Sequence, residues 1–254
     1  MTVETLSPPR WLVRGTARPG LPRLYCFPHG GGSVAEYVRW ARDLPGVELY
    51  GVQVPGRGTR LQERAFTRMD PLVTALVEQN VFTAPYAFFG HSLGALVAYE
   101  VTRELRRAGR RLPDRLVLSG YPAPSLPRVD PPVHVLPDDA LIAEVSRRHG
   151  GLPDAVLEDP ELRALVVGAL RADYEILETY AWRDEPALLT PITVFGGRED
   201  RVTKEALAAW ESHTSGGVTV RRLPGGHFYH RDQRAALLRL LSGALRGIGR
   251  AEGR

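Results

Sequence analysis

Gly90-His91-Ser92-Leu93-Gly94 lies between an apolar run of strand length, Tyr86-Ala87-Phe88-Phe89, and a run with helical spacing, Ala95 to Ala108. Strand, five-residue turn and helix form the context in which G-x-S-x-G has chemical meaning. Such a turn forces its central residue into a strained backbone conformation and lifts that side chain clear of the sheet. A Cβ at either glycine would collide with the strand or helix that crosses there. Ser92 then stands at a helix N-terminus, whose positive end favours developing negative charge. A serine so placed is a nucleophile that needs a base. The competing reading is a Gly/Ser turn in which Ser92 only caps the helix, and partners elsewhere in the chain decide between the two.

Outward from this turn, strands and helices alternate. Residues 1–10 read as a loose arm, and Trp11-Leu12-Val13 starts an edge strand. Arg23 to Phe27 is a buried strand, followed by Pro28-His29-Gly30-Gly31-Gly32-Ser33 and a helix over Val34 to Leu44. Val34, Tyr37, Val38 and Ala41 share a face of that helix, and Ser33 and Glu36 have the spacing of a capping box. Val47 to Val54 is the next strand and ends at Pro55-Gly56-Arg57-Gly58. Asp70-Pro71 opens a helix that reaches about Val81, with proline in its first turn. Beyond the Ser92 helix, Arg115 to Ser119 is another buried strand. This alternation predicts a mostly parallel central sheet with helices on both faces.

From Tyr121 the rhythm breaks. Pro122 to Pro137 is rich in proline and holds no strand, and two helical stretches follow, Asp138 to His149 and Glu161 to Trp182. An α/β chain that pauses for helices between strands carries a lid over the sheet's C-terminal edge, here residues 125–190. The alternative is an extra packing layer with no part in the site. The longer helix has an apolar face that Asp173 interrupts. A buried, unpaired carboxylate is costly, so Asp173 should pair with an arginine or meet water in an acyl chamber. The small residues Ala169 and Ala172 are expected to line that chamber. Alternation resumes with the strand Pro191 to Phe195, the turn Gly196-Gly197-Arg198-Glu199-Asp200, the helix Thr203 to His213, the strand Val218 to Leu223, the loop Pro224-Gly225-Gly226-His227, and a last helix from about Asp232 to Ile248. A single domain, 1–254, with the lid inserted in it, accounts for the whole pattern.

Ser92 needs a base to take its proton. Of the seven histidines, His227 is best placed, in a glycine-rich loop just after the last strand. His230 is nearby but begins the next helix, and His91 points away from its neighbour Ser92. His134, His149 and His213 fall in the insert or on a surface helix. The base needs an acid to fix its tautomer. Asp200 ends the turn after the preceding strand; adjacent Glu199 is the alternative, and Ser119-Gly120-Tyr121 supplies no acid after the earlier strand. The chain order Ser92…Asp200…His227 is that of α/β-hydrolases. Two backbone N–H groups should hold the oxyanion: that of Leu93 at the helix N-terminus, and that of Gly30 in the loop after the first buried strand. A glycine-rich loop can also cradle phosphate, but no Lys-Ser/Thr pair follows this one, so it is not a Walker loop.

Composition bounds the rest. The chain has 254 residues, 43% hydrophobic and 24% charged, as expected of an ordinary globular protein. Met1 to Trp11 lacks the pattern of a secretory leader and no apolar run reaches membrane-spanning length, so a cytoplasmic protein without membrane contact is expected. Cys26 is the only cysteine, so no intrachain disulfide forms; it reads as a buried core residue. The net charge is +4, and the cationic side chains are nearly all arginine, with Lys204 the only lysine. A mild positive excess suits an acidic partner. No basic run interleaves with aromatics, so nucleic acid is not expected.

Phe27-Pro28-His29-Gly30-Gly31-Gly32, Pro55-Gly56-Arg57-Gly58-Thr59-Arg60, Gly90-His91-Ser92-Leu93-Gly94, Gly196-Gly197-Arg198-Glu199-Asp200 and Gly226-His227-Phe228 together resemble type II thioesterases. These are stand-alone editing hydrolases of polyketide and nonribosomal peptide assembly lines. The resemblance runs from about residue 20 to 245. It implies hydrolysis of acyl groups from the phosphopantetheine arm of acyl or peptidyl carrier proteins, with no metal and no bound cofactor, since phosphopantetheine arrives on the partner. Glu63-Arg64 departs from the family where proline is usual, and Ala181-Trp182-Arg183 departs where a second tyrosine is common. Rival readings are a medium-chain acyl or chain-releasing thioesterase, a small-molecule esterase, and a catalytically silent hydrolase fold used for binding. Ser92 at the turn excludes an epoxide hydrolase or dehalogenase, which would carry aspartate there.

Overall fold

The computed structural model describes residues 11–128, 130–150 and 158–249. Residues 1–10, where the sequence suggests a loose arm, lie outside the described residues, as do 151–157 within the insert. Seven strands form one sheet: β1 (Leu12–Arg14), β2 (Arg23–Phe27), β3 (Glu48–Val52), β4 (Tyr86–His91), β5 (Arg115–Ser119), β6 (Ile192–Gly197) and β7 (Val218–Leu223). Their order is β1-β3-β2-β4-β5-β6-β7; β1 is antiparallel to β3 and every other pair is parallel. The described helices are α1 (Val34–Val38), α2 (Met69–Glu78), α3 (Leu93–Arg107), α4 (Asp138–His149), α5 (Pro160–Thr179), α6 (Lys204–Ala208), α7 (Tyr229–Asp232) and α8 (Arg234–Ala244).

The central strands read as unbroken apolar runs because both their faces are covered. Odd and even residues part cleanly. Tyr25, Phe27, Phe88, Leu116, Leu118, Ile192 and Val194 join α2 and α3 in one core. Leu24, Cys26, Ala87, Phe89, Val117 and Phe195 join Tyr37, Trp40 and the α8 leucines in the other. A third, small cluster of Val133, Leu141, Val145, Leu170 and Tyr174 belongs to the insert alone. Register brings the strand ends level: Phe27 pairs with Gly90, His91 with Ser119, Ser119 with Phe195, and Gly197 with Leu223. The loops after β2, β4, β5, β6 and β7 therefore open along one edge. Among the described residues no helix is long and apolar enough to cross a membrane.

Several boundaries differ from those the sequence suggests. The helix from Val34 tightens into a 3₁₀ turn at Arg39–Arg42, a common way for a short helix to end. Ser33 caps it by accepting the Ala35 N–H, but Glu36 does not complete a capping box. Its carboxylate turns instead to His230 and Arg231, charged or polarisable partners that outbid a backbone N–H. α5 ends at Thr179 rather than Trp182, because Tyr180 leaves helical geometry to donate its hydroxyl to Glu100, while Trp182 lies against the Arg103 guanidinium. β6 continues through Gly196-Gly197, where a turn was expected, since both residues pair with β7. The last helix is two pieces separated at Gln233. His213 is not on a surface helix: it is buried, between the Tyr99 hydroxyl at 3.0 Å and Ser125 Oγ at 2.9 Å.

Candidate active site

Ser92 sits at φ 54°, ψ −120°, between β4 and α3. That sparsely populated conformation is held by the backbone around it. A Cβ on Gly90 would lie 2.1 Å from Gly94 O, and one on Gly94 would lie 2.0 Å from Phe27 O, so strand and helix cross with no room for a side chain. The Ser92 N–H is fixed to Ser119 O at 2.7 Å. The Leu93 N–H is in the first turn of α3, where no intrahelical acceptor exists. In the loop after β2, the Gly30 N–H also has no acceptor among the described residues.

His227 Nδ1–H donates to Asp200 Oδ2 at 3.0 Å, with both side chains nearly sealed from solvent. A carboxylate acceptor at Nδ1 leaves Nε2 as the basic nitrogen. Burial alone would raise the Asp200 carboxyl; the hydrogen bond and charge of His227, with the Val202 N–H, more than offset this and hold it below its ordinary value. Glu199 is used differently. It accepts the Gly225 N–H and so fastens the histidine loop to the end of β6. Ser92, Asp200, His227 and Gly30 all line one cavity of about 590 Å³, a volume fit for a small ligand or a short chain. Among the described residues Ser92 Oγ makes no hydrogen bond, to His227 or to any other group.

His29, His91, His149, His227 and His230 form a continuous group. His91 is fully buried with Nδ1 at 2.8 Å from Ser119 Oγ, and its ring centroid lies 4.2 Å from that of His230 and 5.0 Å from that of His227. It thus faces away from the cavity, as its place beside Ser92 suggests. Burial, then the charge of the neighbouring imidazoles, pushes it well below the ordinary histidine range. His149, at the end of α4, is the residue that sequence reasoning missed: its ring lies 4.3 Å from that of His227 and its Nδ1 is buried without a partner. Burial, then the charge of His227, lowers it to about 3. Nothing in a helix-period run could have placed its last residue over a loop met almost eighty residues later.

His29, Glu36 and His230 each offer a ligand atom within 4.8 Å of the others, the donor set that could hold a metal. Arg231 already stands there, 3.1 Å from Glu36 Oε2 and 3.4 Å from His29 Nε2. With His230 it holds Glu36 down to about 2, against the opposing effect of burial. The carboxylate's charge is therefore met by side chains of the chain itself.

From α5 the cavity receives Leu170, Tyr174 and Leu177; Ala169 and Ala172 are not among its lining residues. Positions 170, 174 and 177 form one helical stripe, and Ala169 and Ala172 lie about 100° and 200° around the axis from Leu170. The expectation that those two alanines face the chamber is corrected accordingly. Asp173 does not face the chamber either. It is 2% exposed, ion-paired with Arg57 and bonded to the Gly31 N–H. Of the two fates open to that carboxylate, pairing with an arginine is the one realised.

A parallel sheet with a serine on a strained strand-to-helix turn, and a bonded acid and histidine after later strands, defines an α/β-hydrolase. The thioesterase domain matches residues 22–245, and the chain belongs to that family: it is a thioester hydrolase. Thioesterase PikA5 of Streptomyces venezuelae is 42% identical over 83% of this chain and 76% of its own. Gramicidin S biosynthesis protein GrsT of Aneurinibacillus migulanus is 32% identical over 93% of this chain and 94% of its own. Among solved structures, the type II thioesterase BorB from the borrelidin biosynthetic cluster superposes with a TM-score of 0.81 at 36% identity, covering 93% of this chain and 96% of that one.

Proposed function

We propose that the chain is a stand-alone type II thioesterase that hydrolyses acyl groups from the phosphopantetheine arm of carrier proteins, clearing stalled or mis-primed intermediates from a polyketide or nonribosomal peptide assembly line. Ser92 is the nucleophile, His227 the base and Asp200 the acid that orients it. The Gly30 and Leu93 N–H groups receive the oxyanion. The observation that carries this reading is the Asp200–His227 hydrogen bond in the wall of a cavity that also holds Ser92.

Ser92 Oγ attacks the thioester carbonyl as its proton passes to His227 Nε2. The charge forming on the carbonyl oxygen falls to the two N–H groups. The tetrahedral species collapses, the C–S bond breaks, and His227 returns the proton to the departing thiol. Water then attacks the acyl-serine, giving its proton to the same nitrogen; the C–Oγ bond breaks, His227 returns that proton to Ser92 Oγ, and the carboxylic acid leaves. The cycle draws every proton transfer from one histidine and uses no bound cofactor; phosphopantetheine belongs to the substrate. Ser92 and His227 need only close their hydrogen bond when substrate fills the cavity, as such contacts commonly tighten on binding.

Residues 125–190 act as a lid within a single catalytic domain, and Leu170, Tyr174 and Leu177 form its acyl-facing surface. The positive balance of the chain suits acidic carrier proteins, and the enzyme works in the cytoplasm beside its assembly line. The test is a comparison of one acyl group on a carrier protein, on N-acetylcysteamine and as a simple ester. Carrier contacts should raise kcat/KM for the first over the second. Equal specificity constants for carrier and small thiol would remove carrier recognition, and preference for the ester would make this an esterase.

A further inference from the structure

The loop that presents Gly30 is not held by the sheet alone. Gly32 N donates to His29 O at 2.8 Å, which closes a turn with Gly30 and Gly31 at its centre. Gly31 has φ +70°, the mark of a type II turn. The two common turn types differ by a flip of the central peptide, which here carries the Gly30 carbonyl and the Gly31 N–H. That N–H is claimed by Asp173 Oδ2 at 2.7 Å. Asp173 is on α5, 142 positions further along the chain, and Leu170 of the same helix packs against Gly31. The carboxylate is in turn gripped by both ends of the Arg57 guanidinium, at 2.8 Å and 2.6 Å. Arg57 comes from the Pro-Gly-Arg-Gly segment after β3, which nothing in the hydrolytic cycle uses.

We propose that Asp173 is a positioning residue that anchors the Gly30–Gly31 turn, and so fixes where the adjoining His29–Gly30 peptide presents the Gly30 N–H to the oxyanion, with Arg57 holding the carboxylate in place. This rests on Gly30 as an oxyanion donor. The arrangement has a consequence for the lid. The acceptor for Gly31 comes from the lid helix, so the oxyanion loop is set only while α5 is seated on the sheet edge. Substrate entry and transition-state stabilisation are then linked through one carboxylate. A lid lifted for loading frees the central peptide, and a lid seated over the acyl chain fixes it.

A buried ion pair can be replaced by apolar residues of similar size with little loss of stability, which allows a clean contrast. Arg57→Met/Asp173→Leu removes the acceptor for the Gly31 N–H. Arg57→Met/Asp173→Asn removes the ion pair but keeps an amide oxygen for it. The first should lose about 10²-fold in kcat with KM for an acyl-N-acetylcysteamine within threefold of the parent; the second should recover at least tenfold of that loss. Affinity for an alkyl boronic acid, which forms a tetrahedral adduct on a reactive serine, should fall in the same proportion as kcat. Equal kcat in the two double variants, or a change in KM alone, would reduce Asp173 to a lid staple and overturn the proposal. Should the leucine variant fail to fold, Asp173→Ala against Asp173→Asn supplies the same contrast. Fluorophosphonate labelling of the parent enzyme separates this from the underlying reading: no label on Ser92 would defeat the nucleophile assignment itself, whereas a labelled parent with indifferent Asp173 variants defeats only the coupling.

Discussion

Around Ser92, backbone meets backbone: the cross-over at Gly90 and Gly94 leaves no space for even a methyl group, and the flanking strands are buried on both faces. The insert is fastened in another way. Its own core is a handful of residues; Ile176, Leu177 and Leu188 join the main core, and further ties to the rest of the molecule are side-chain ion pairs: Asp173 to Arg57, Glu175 to Arg68, Arg183 to Asp70, Glu185 to Arg103, Arg106 and Arg107, and Asp130 to Arg201. Close packing has one minimum and tolerates no displacement. Exposed polar ties exchange readily for water, so the parts of an element held by them can open at modest cost. The proposed nucleophile sits on the first kind of support, whereas of the residues proposed to meet the acyl chain Leu170 and Tyr174 belong to the insert's own small cluster.

The sharpest test of that division is at the sheet edge. Ser92→Ala should fold normally and lose on the order of 10⁴–10⁶ in kcat, measured on any acyl thioester the parent accepts. Turnover close to the parent's would move the nucleophile elsewhere. Asp200→Asn should cost roughly 10⁴, because the amide would favour the wrong imidazole tautomer. Glu199→Gln should cost far less, since Glu199 serves the Gly225 N–H rather than His227. If the two substitutions weigh equally, the acid is shared or misassigned.

The same division explains what could be read from residues alone. The turn at Ser92, the acid after β6 and the histidine after β7 are each fixed by local rules: strand run, glycine pair, loop. The ranges Arg23 to Phe27, Arg115 to Ser119, Asp138 to His149 and Val218 to Leu223 agree with the structure to the residue. Where the insert meets the sheet edge, the deciding contacts are long-range and polar. Periodicity marks Leu170, Ala169 and Ala172 as parts of one amphipathic helix but cannot say which stripe turns toward a chamber. His149 and Arg57 likewise gain meaning only from a neighbour far away in sequence. Asp173 was legible as an anomaly because a carboxylate on an apolar face demands an explanation; its partner was not.

On the side of the proposed lid, expected effects are smaller and selective. Tyr174→Ala and Leu177→Ala should shift chain-length preference toward longer acyl groups, and Leu170→Phe toward shorter ones. One methylene in an apolar pocket is worth about 1–3 kcal/mol, so ratios of kcat/KM between neighbouring chain lengths should move by roughly 10- to 200-fold. A flat profile across all three variants, with only stability altered, would make the stripe packing rather than pocket.

The buried histidines set an intermediate effect. His29 is lowered to about 3 by burial, against an ordinary value of 6.5, and His149 is lowered to about 3 as well. Between those limits the unfolded chain binds protons that the folded chain refuses, so stability must fall as pH drops from 6.5 toward 3. The slope is about 1.4 kcal/mol per pH unit for each such histidine when fully buried, and less for half-buried His149. Urea midpoints at pH 7, 6 and 5 should decline, and His29→Asn should flatten the curve. Midpoints that stay level over that range would mean these rings are protonated in the folded state.

The smallest expected effect concerns the outermost ties. Arg183 of the insert pairs with Asp70 of α2, but their side chains are 69% and 66% exposed. Two long-solvated charges gain little Coulomb energy on meeting in water and lose side-chain freedom, so exposed pairs contribute about 0–1 kcal/mol. The buried Asp173–Arg57 pair is different: its side chains are 3% and 13% exposed, and stripping one partner would leave an uncompensated charge in the interior. If the lid is seated by the buried tie, Asp70→Asn should change unfolding stability by less than about 1 kcal/mol and leave kcat and chain-length preference alone. Raising salt from 0.1 to 1 M should act in the same way on the parent, because screening at 1 M acts over about 3 Å and reaches exposed pairs first. If Asp70→Asn instead costs more than about 2 kcal/mol, or lowers kcat in step with added salt, the surface pairs hold the lid together as a network, beyond what isolated exposed pairs supply.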